Sequence, residues 1–227
     1  MLVLERDLIA AAIRSVADEM SIEHFAYTQE HQITSRLGEA LQDRFQRLSI
    51  FDAWDVSIIT QEAPDKGPGT MESATGIDLY VGVSRDGSGE EFDKGFFVQS
   101  KKKELARSAQ KQEDLVRQCV KMLKLSRHSY VWVYGPDGVG VVRARDVVDQ
   151  IGRTVEQLPQ RNIDELMREV LDCHEGDRRR GISDGPDRRQ RLVAQMREWQ
   201  TEVGIHVEIK RRPRRVAIAR PSKPRKL

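Results

Sequence analysis

The sequence predicts an α/β fold whose core has the element order α-β-β-β-α-β, with a central mixed sheet flanked by helices. Three observations predict it. Apolar residues recur at helical spacing near the N-terminus, and two strand-like segments then flank a polar turn. A long helical segment follows and leads into the almost wholly apolar run SYVWVYG. A buried strand that follows a hairpin and a helix is typical of a parallel crossover.

The N-terminal half supplies the first elements of this core. Two amphipathic helices are predicted, one with apolar residues at Leu4, Leu8, Ala11, Ala12, Val16 and Met20 and one with Ile33, Leu37, Ala40, Leu41, Phe45 and Leu48. A strand over 54–60 and a Gly/Pro/Asp loop over 63–69 come next. Strand patterns over 75–83 and 95–101 enclose a polar turn, so we expect them to form a β-hairpin.

The second half continues with a helix over 104–126, the apolar strand over 129–135 and a strand over 139–142. Two further helices are predicted over 163–174 and 188–200. Short strand patterns over 206–212 and 214–220 flank Pro213, which predicts a basic C-terminal hairpin followed by a tail. The predicted organisation is therefore a core over 1–150 and a helical and β-hairpin extension over 151–227.

Charge and cysteine content limit the function classes. From position 210 onward nine cations meet no acidic residue, so the rest of the chain is net acidic and only the tail is a candidate phosphate-binding arm. Two cysteines without metal-ligand spacing argue against a zinc site and favour a reducing cytoplasm. No segment approaches the ~20 consecutive apolar residues of a membrane span, so we expect no membrane partner.

Asp78, Gln99 and Lys101 form the most informative chemical pattern. Residues two apart in a strand project to the same face, so Gln99 and Lys101 point together, and hairpin pairing can bring Asp78 beside them. A carboxylate and an amide oxygen suit a hard cation such as Mg²⁺. Lys101 could then orient or deprotonate a water molecule, or balance charge in the transition state. The alternative is a solvated pair that protects a strand edge.

Glu30 is the second candidate carboxylate. At ~100° per residue it lies on the same side of its helix as Ile33 and Leu37, so it points inward. An inward carboxylate requires a cation, a metal or a dense shell of hydrogen bonds. The alternative is that Glu30 stabilises the helix start, where the helix dipole favours acids.

A helix glutamate, then TGID, then VQSKK, then a long helix and an apolar strand together resemble the PD-(D/E)XK nuclease superfamily. The pattern resembles especially its Mrr-like restriction endonuclease branch with a Q-x-K motif, over roughly 29–134. It implies a restriction-endonuclease-like core and phosphodiester hydrolysis with Mg²⁺, for which Mn²⁺ can substitute. It also implies that Glu30, Asp78 and Gln99 lie near the metal and that Lys101 lies near the nucleophilic water.

Two positions depart from the superfamily pattern, and one adds to it. Ile77 stands where the name-giving motif has proline, and Gln99 replaces an acidic residue. A neutral ligand should hold a metal less tightly than a carboxylate does. Gln118, on the following helix, resembles an auxiliary polar position beside the metal or phosphate. Its alternative is an exposed residue in a good helix-forming position.

Candidate nucleic-acid contacts are basic residues near the motif and in the C-terminal segment. They are Lys102, Lys103, Arg211, Arg212, Arg214 and Arg215. Such cations can neutralise phosphates, and solvated lysines or a solubilising tail are the alternatives.

The function predicted from these residues is a DNA endonuclease of restriction, phage defence or DNA repair. Two alternatives stay open: a non-catalytic nucleic-acid-binding module with a nuclease-like fold, and an interaction subunit of a larger complex. RNA is not excluded as a substrate, because metal-assisted hydrolysis does not itself distinguish the sugars. A homodimer is a further expectation, since cutting both DNA strands needs two active sites. A subunit role in a larger defence complex stands beside it.

Overall fold

The computed structural model of the chain describes residues 3–47, 54–63, 75–87, 91–103, 109–182 and 187–212. In this part of the chain a seven-stranded mixed sheet packs with six α-helices. The helices are α1 Val3–His24, α2 Glu30–Arg47, α3 Ala109–Leu125, α4 Ala144–Asp149, α5 Ile163–Leu171 and α6 Arg188–Trp199. The strands are β1 Trp54–Glu62, β2 Leu79–Asp86, β3 Phe92–Lys102, β4 Ser129–Gly135, β5 Gly138–Arg143, β6 Arg161–Asn162 and β7 Val203–Arg211. The predicted α/β class is confirmed.

The strands lie in the order β1-β7-β2-β3-β4-β5-β6. Strands β2 and β3 pair antiparallel, with Leu79 opposite Val98, so the predicted hairpin is confirmed. Strand β4 pairs parallel to β3, which confirms the predicted crossover through α3. Every residue of β4 is buried, as its continuous apolar sequence predicted.

The C-terminal strand β7 lies between β1 and β2. It pairs antiparallel with β1 over its whole length and parallel with β2 from Val203 to Lys210. Both edges of β7 are thus occupied, by β1 and by β2, whereas the sequence predicted that residues 206–212 form a hairpin with residues 214–220. Residues 213–227 lie outside the described part of the chain. The sheet thus joins residues from both sides of the predicted boundary at 150.

Side-chain alternation divides the core into two layers. Leu79, Val81 and Val98 belong to the layer beneath α1, α2 and α5. Tyr80 and Phe97 belong to the layer beneath α3, α4 and α6. The period of two in β2 and β3 therefore determines which helices each side chain meets.

The face that α1 buries differs from the predicted one. Its buried residues are Ile9, Ala10, Ile13, Val16, Ala17 and Ser21. Of the predicted stripe, Val16 is buried, whereas Leu4 and Leu8 are 70% and 38% exposed. The helix is apolar on more than one side, and its packing against α2 and α5 selects the buried stripe.

Element bounds also differ near the predicted motif. Strand β2 begins at Leu79 rather than at 75, because Gly76 has a positive φ of 72° that interrupts an extended backbone. The predicted helix start at 104 and most of the predicted loop over 63–69 fall outside the described residues. Within the described part, no helix is both long enough and apolar enough to cross a membrane.

Candidate active site

Three neighbouring strands bring polar residues to one end of the sheet. Leu79 is paired with Val98 of β3 and with Val203 of β7, which sets Asp78 between Gln99 and Glu202. Backbone hydrogen bonds extend this register by one residue: Asp78 N–H donates to the Val98 carbonyl at 3.0 Å, and Val203 N–H donates to the Asp78 carbonyl at 3.1 Å. The three side chains therefore belong to one row across β7, β2 and β3.

The Asp78 carboxylate has few positive partners for its degree of burial. It accepts hydrogen bonds from the Ser100 backbone N–H at 2.9 Å and from the Gln99 amide. Burial raises the pKa of Asp78 from 3.8 to about 7, against the lowering effects of the Lys101 charge and the Ser100 N–H. The charges of Glu202 and Glu30 raise this pKa further. A cation beside Asp78 would relieve both effects.

Two glutamine oxygens are buried near this carboxylate. Gln99 is 2% exposed, and among the described residues neither its Oε1 nor the Oε1 of Gln118 has a hydrogen-bond partner. Leaving a buried polar oxygen unpaired costs about 1–3 kcal/mol, so such atoms in a cleft indicate a place for a ligand. Both oxygens belong to side chains that line the same cleft as Asp78.

Glu30 connects the start of α2 to the end of β3. Its Oε1 accepts the Lys102 backbone N–H at 3.0 Å, and its Oε2 lies 3.8 Å from Lys101 Nζ. Both interpretations of Glu30 thus apply, because it is the first residue of α2 and its side chain also lines the cleft. The Lys101 side chain is only 15% exposed, and its charge lowers the pKa of Asp78.

These residues line a cleft of about 510 Å³. Its lining residues are Thr28, Gln29, Glu30, His31, Asp78, Gln99, Lys101, Lys102, Lys111, Gln118 and Glu202. The structure therefore brings together all the residues that the sequence marked as catalytic or auxiliary. They come from α2, β3 and α3, and Asp78 is the residue that directly precedes β2.

The floor of the cleft is fixed from both faces of the sheet. Thr34 Oγ1 lies 2.9 Å from Ser100 Oγ and 2.9 Å from the Tyr134 hydroxyl, and all three side chains are buried. On the other face Gly76 meets α3, where a Cβ at position 76 would lie 2.9 Å from both the Cα and the carbonyl oxygen of Gln118. This glycine permits the close approach that brings Gln118 to the cleft.

Comparison with known proteins identifies no family for this chain. No family model, no curated protein and no solved structure matches it. The chemistry of the cleft is therefore argued from its own residues.

The predicted nucleic-acid contacts are separated by the fold. Lys102 lines the cleft, but its Nζ donates to the Thr28 carbonyl at 3.2 Å and lies 4.8 Å from the Phe25 ring centre. Lys103 lines a different cleft, and its Nζ is 3.5 Å from Asp137. Of the two lysines, only Lys102 is placed beside the predicted catalytic residues.

The basic residues of the C-terminal segment lie farther away. Arg211 ends β7, nine residues from Glu202, which at ~3.3 Å per residue is about 30 Å from the cleft. Arg212 follows it, and its Nε donates to Asp55 at 2.6 Å. Arg214 and Arg215 lie outside the described residues. In the described part of the segment, the predicted basic contacts are thus at the opposite end of the sheet from the cleft.

The sequence did not mark three ionisable residues of the cleft, namely His31, Lys111 and Glu202. His31 follows Glu30 directly and gave no metal-ligand spacing. Glu202 precedes a strand whose place in the sheet only the tertiary pairing reveals. The one available signal was an acidic residue immediately before the β-rich segment VGIHVEI.

The carboxylates and amides of the cleft supply oxygen donors, and His31 is the one imidazole among its lining residues. Among the described residues no three His, Cys, Asp or Glu side chains are grouped closely enough to be recognised as a metal site. The Asp78 carboxylate, the unpaired Gln99 oxygen and the nearby glutamates fit Mg²⁺ or Mn²⁺, which prefer oxygen ligands and retain several waters. Neither cysteine lines the cleft, so the donor set does not suit a soft metal.

Proposed function

We propose that this protein is a Mg²⁺-dependent DNA endonuclease with a PD-(D/E)XK-type active site at Asp78, Gln99 and Lys101. One observation carries the proposal: Asp78 lies opposite Gln99, whose buried Oε1 is unpaired among the described residues, in a cleft that also holds Lys101. A carboxylate and an amide oxygen can hold a divalent cation, and a lysine beside them can orient a water molecule or stabilise charge, which suits metal-assisted phosphodiester hydrolysis.

In this proposal Asp78 and Gln99 hold the cation, with Glu30 at the edge of the site. The bound cation supplies Lewis-acid polarisation of a phosphate oxygen and lowers the pKa of a water molecule. Lys101 orients that water or stabilises charge on the scissile phosphate, because its ammonium is held near both carboxylates. Gln118 directs its unpaired oxygen toward a water or the cation.

The chain order of elements supports the proposal. From α2 to β4 the order is α-β-β-β-α-β, with an antiparallel hairpin and a parallel crossover, which is the element order expected from the resemblance to restriction endonucleases. The insertion of β7 between β1 and β2 is a departure from a simple succession of these strands. We place the enzyme in restriction, phage defence or DNA repair, acting in the cytoplasm as a homodimer or as a subunit of a larger defence complex.

The test is a cleavage assay with purified protein on plasmid, linear and single-stranded DNA and on RNA, in Mg²⁺, Mn²⁺ or EDTA. We expect metal-dependent DNA cleavage that falls by about 10²-fold or more in Asp78→Ala and Lys101→Ala. Lys103→Ala is the matched control, since Lys103 lies two residues along the chain but lines another cleft. DNA binding without cleavage in any metal, unchanged by Lys101→Ala, would instead identify a non-catalytic binding module.

A further inference from the structure

Glu202 is the cleft carboxylate that the sequence did not mark. It precedes β7, in register with Asp78 on the neighbouring strand, and its side chain is exposed. Adjacent strands lie ~4.8 Å apart and residues in register point to the same face, so Glu202 projects toward the same side as Asp78. The Glu202 charge also acts on Asp78, whose pKa it raises.

The two glutamates of the cleft differ in their partners. Both oxygens of Glu30 face protein cations or donors, namely the Lys102 N–H and Lys101 Nζ. Within the described residues, no hydrogen bond or ion pair engages the Glu202 side chain, and only its backbone carbonyl accepts a bond, from Ala63 N–H at 2.8 Å. The Glu30 carboxylate thus already binds groups of β3, whereas the Glu202 carboxylate can bind a cation without losing a protein partner.

We propose that Glu202 is a ligand, directly or through a bound water, of the divalent cation held by Asp78 and Gln99. The site is then a row of oxygen donors across β7, β2 and β3, and Glu30 serves mainly to position the end of β3. This inference rests on the cation of the proposed function, but it concerns cation binding and not cleavage. Its independent support is the buried, unpaired Gln99 oxygen in the same cleft.

The consequence for affinity follows from charge. With Asp78 alone a Mg²⁺ site would have one carboxylate and one neutral amide, which is a weak donor set. A second carboxylate from β7 provides the acidic ligand that Gln99 does not. Mg²⁺ usually keeps several waters and takes only one or two protein carboxylates, so Asp78 and Glu202 complete a set of the ordinary kind.

The experiment is a titration of the full chain with Mn²⁺, followed by the electron paramagnetic resonance signal of free Mn²⁺, without nucleic acid. We expect Glu202→Gln to weaken Mn²⁺ binding by about ten- to a hundredfold, and Glu30→Gln to weaken it less. Glu202→Asp, which keeps a carboxylate, should bind Mn²⁺ better than Glu202→Gln. Glu198→Gln is the matched control, because Glu198 is also exposed, lies four residues away and does not line the cleft.

The outcomes separate this inference from the proposed function. Mn²⁺ binding that depends on Asp78 and Glu202, in a protein that cleaves no nucleic acid, would support the inference and refute the endonuclease. Mn²⁺ affinity in Glu202→Gln equal to that of the wild type would overturn the inference even if cleavage is observed. Absence of Mn²⁺ binding by the wild-type protein would overturn it as well.

Discussion

Asp78→Asn should stabilise the metal-free protein, although it removes the proposed metal ligand. Burial holds the pKa of Asp78 at about 7 in the folded state, compared with 3.8 for an unperturbed side chain. An unfolded chain therefore releases this proton at a much lower pH than the folded chain does. Ionised Asp78 opposes folding, and an uncharged isostere of the same shape does not.

The two pKa values of Asp78 determine whether the free energy of unfolding rises or falls with pH, and over which pH range it does so. Below pH 3.8 Asp78 is protonated in both the folded and the unfolded chain, so it does not lower the free energy of unfolding relative to asparagine. Between 3.8 and about 7 only the unfolded chain loses the proton, and the free energy of unfolding falls as the pH rises. A difference of about three pH units, at ~1.4 kcal/mol per unit, gives about 4 kcal/mol at pH 8. Because the side chain partly faces the cleft solvent, we expect about 1–2 kcal/mol.

The assay is thermal unfolding of wild type and Asp78→Asn in EDTA, followed by circular dichroism at pH 4 and pH 8. For a domain of this size, the expected increase in the free energy of unfolding raises Tm by about 2–8 °C at pH 8 and by much less at pH 4. Asp86→Asn is the control, because Asp86 is exposed at the other end of β2. A Tm for Asp78→Asn at or below that of the wild type at pH 8 would refute the reasoning. Added Mn²⁺ should raise the Tm of the wild type only.

Two further predictions concern a glycine beside the cleft and a buried histidine of β7. Gly76→Ala, with its positive φ and a Cβ 2.9 Å from the Gln118 backbone, should cost about 2–5 kcal/mol in urea unfolding. Gly152→Ala, whose φ is also positive but whose surroundings are open, should cost only about 1–2 kcal/mol, and equal losses would contradict the proposed contact with α3. Burial lowers the pKa of His206 from 6.5 to about 3, so stability present above pH 6.5 should fall toward pH 3 by up to ~1.4 kcal/mol per unit. Urea titrations of wild type and His206→Gln between pH 7 and 4 test this, and parallel slopes would contradict it.

Local patterns were sufficient to predict one part of the site. The spacing of Gln99 and Lys101 places both on one face of a strand, and the hairpin brings Asp78 opposite them, so three residues follow from strand geometry alone. The inward direction of Glu30 likewise followed from its helix. For Asp78, Gln99 and Lys101 the partners lie on one strand or on its hairpin neighbour, whereas the contacts of Glu30 with β3 required the tertiary fold.

The remaining part required long-range pairing that no local pattern encodes. Glu202 lies in register with Asp78 only because β7 enters the sheet between β1 and β2, more than a hundred residues after β2 in the chain. The basic residues after 210 predicted a nucleic-acid-binding arm because the sequence shows their charge but not where the fold places them. In the folded chain Glu202 precedes the end of β7 that lies at the cleft, and Arg211 lies at the other end of this strand.

The position of β7 also has a consequence for how the site is built. Strand β7 bonds to β1 on one side and to β2 on the other, so residues 1–150 alone would leave both of those strand edges open beneath an incomplete core. The backbone around Asp78 depends on the same strand, because Val203 N–H binds the Asp78 carbonyl. Asp78 is thus held from β3 by Ser100 and from β7 by Val203, and both halves of the chain must fold together before the cleft exists.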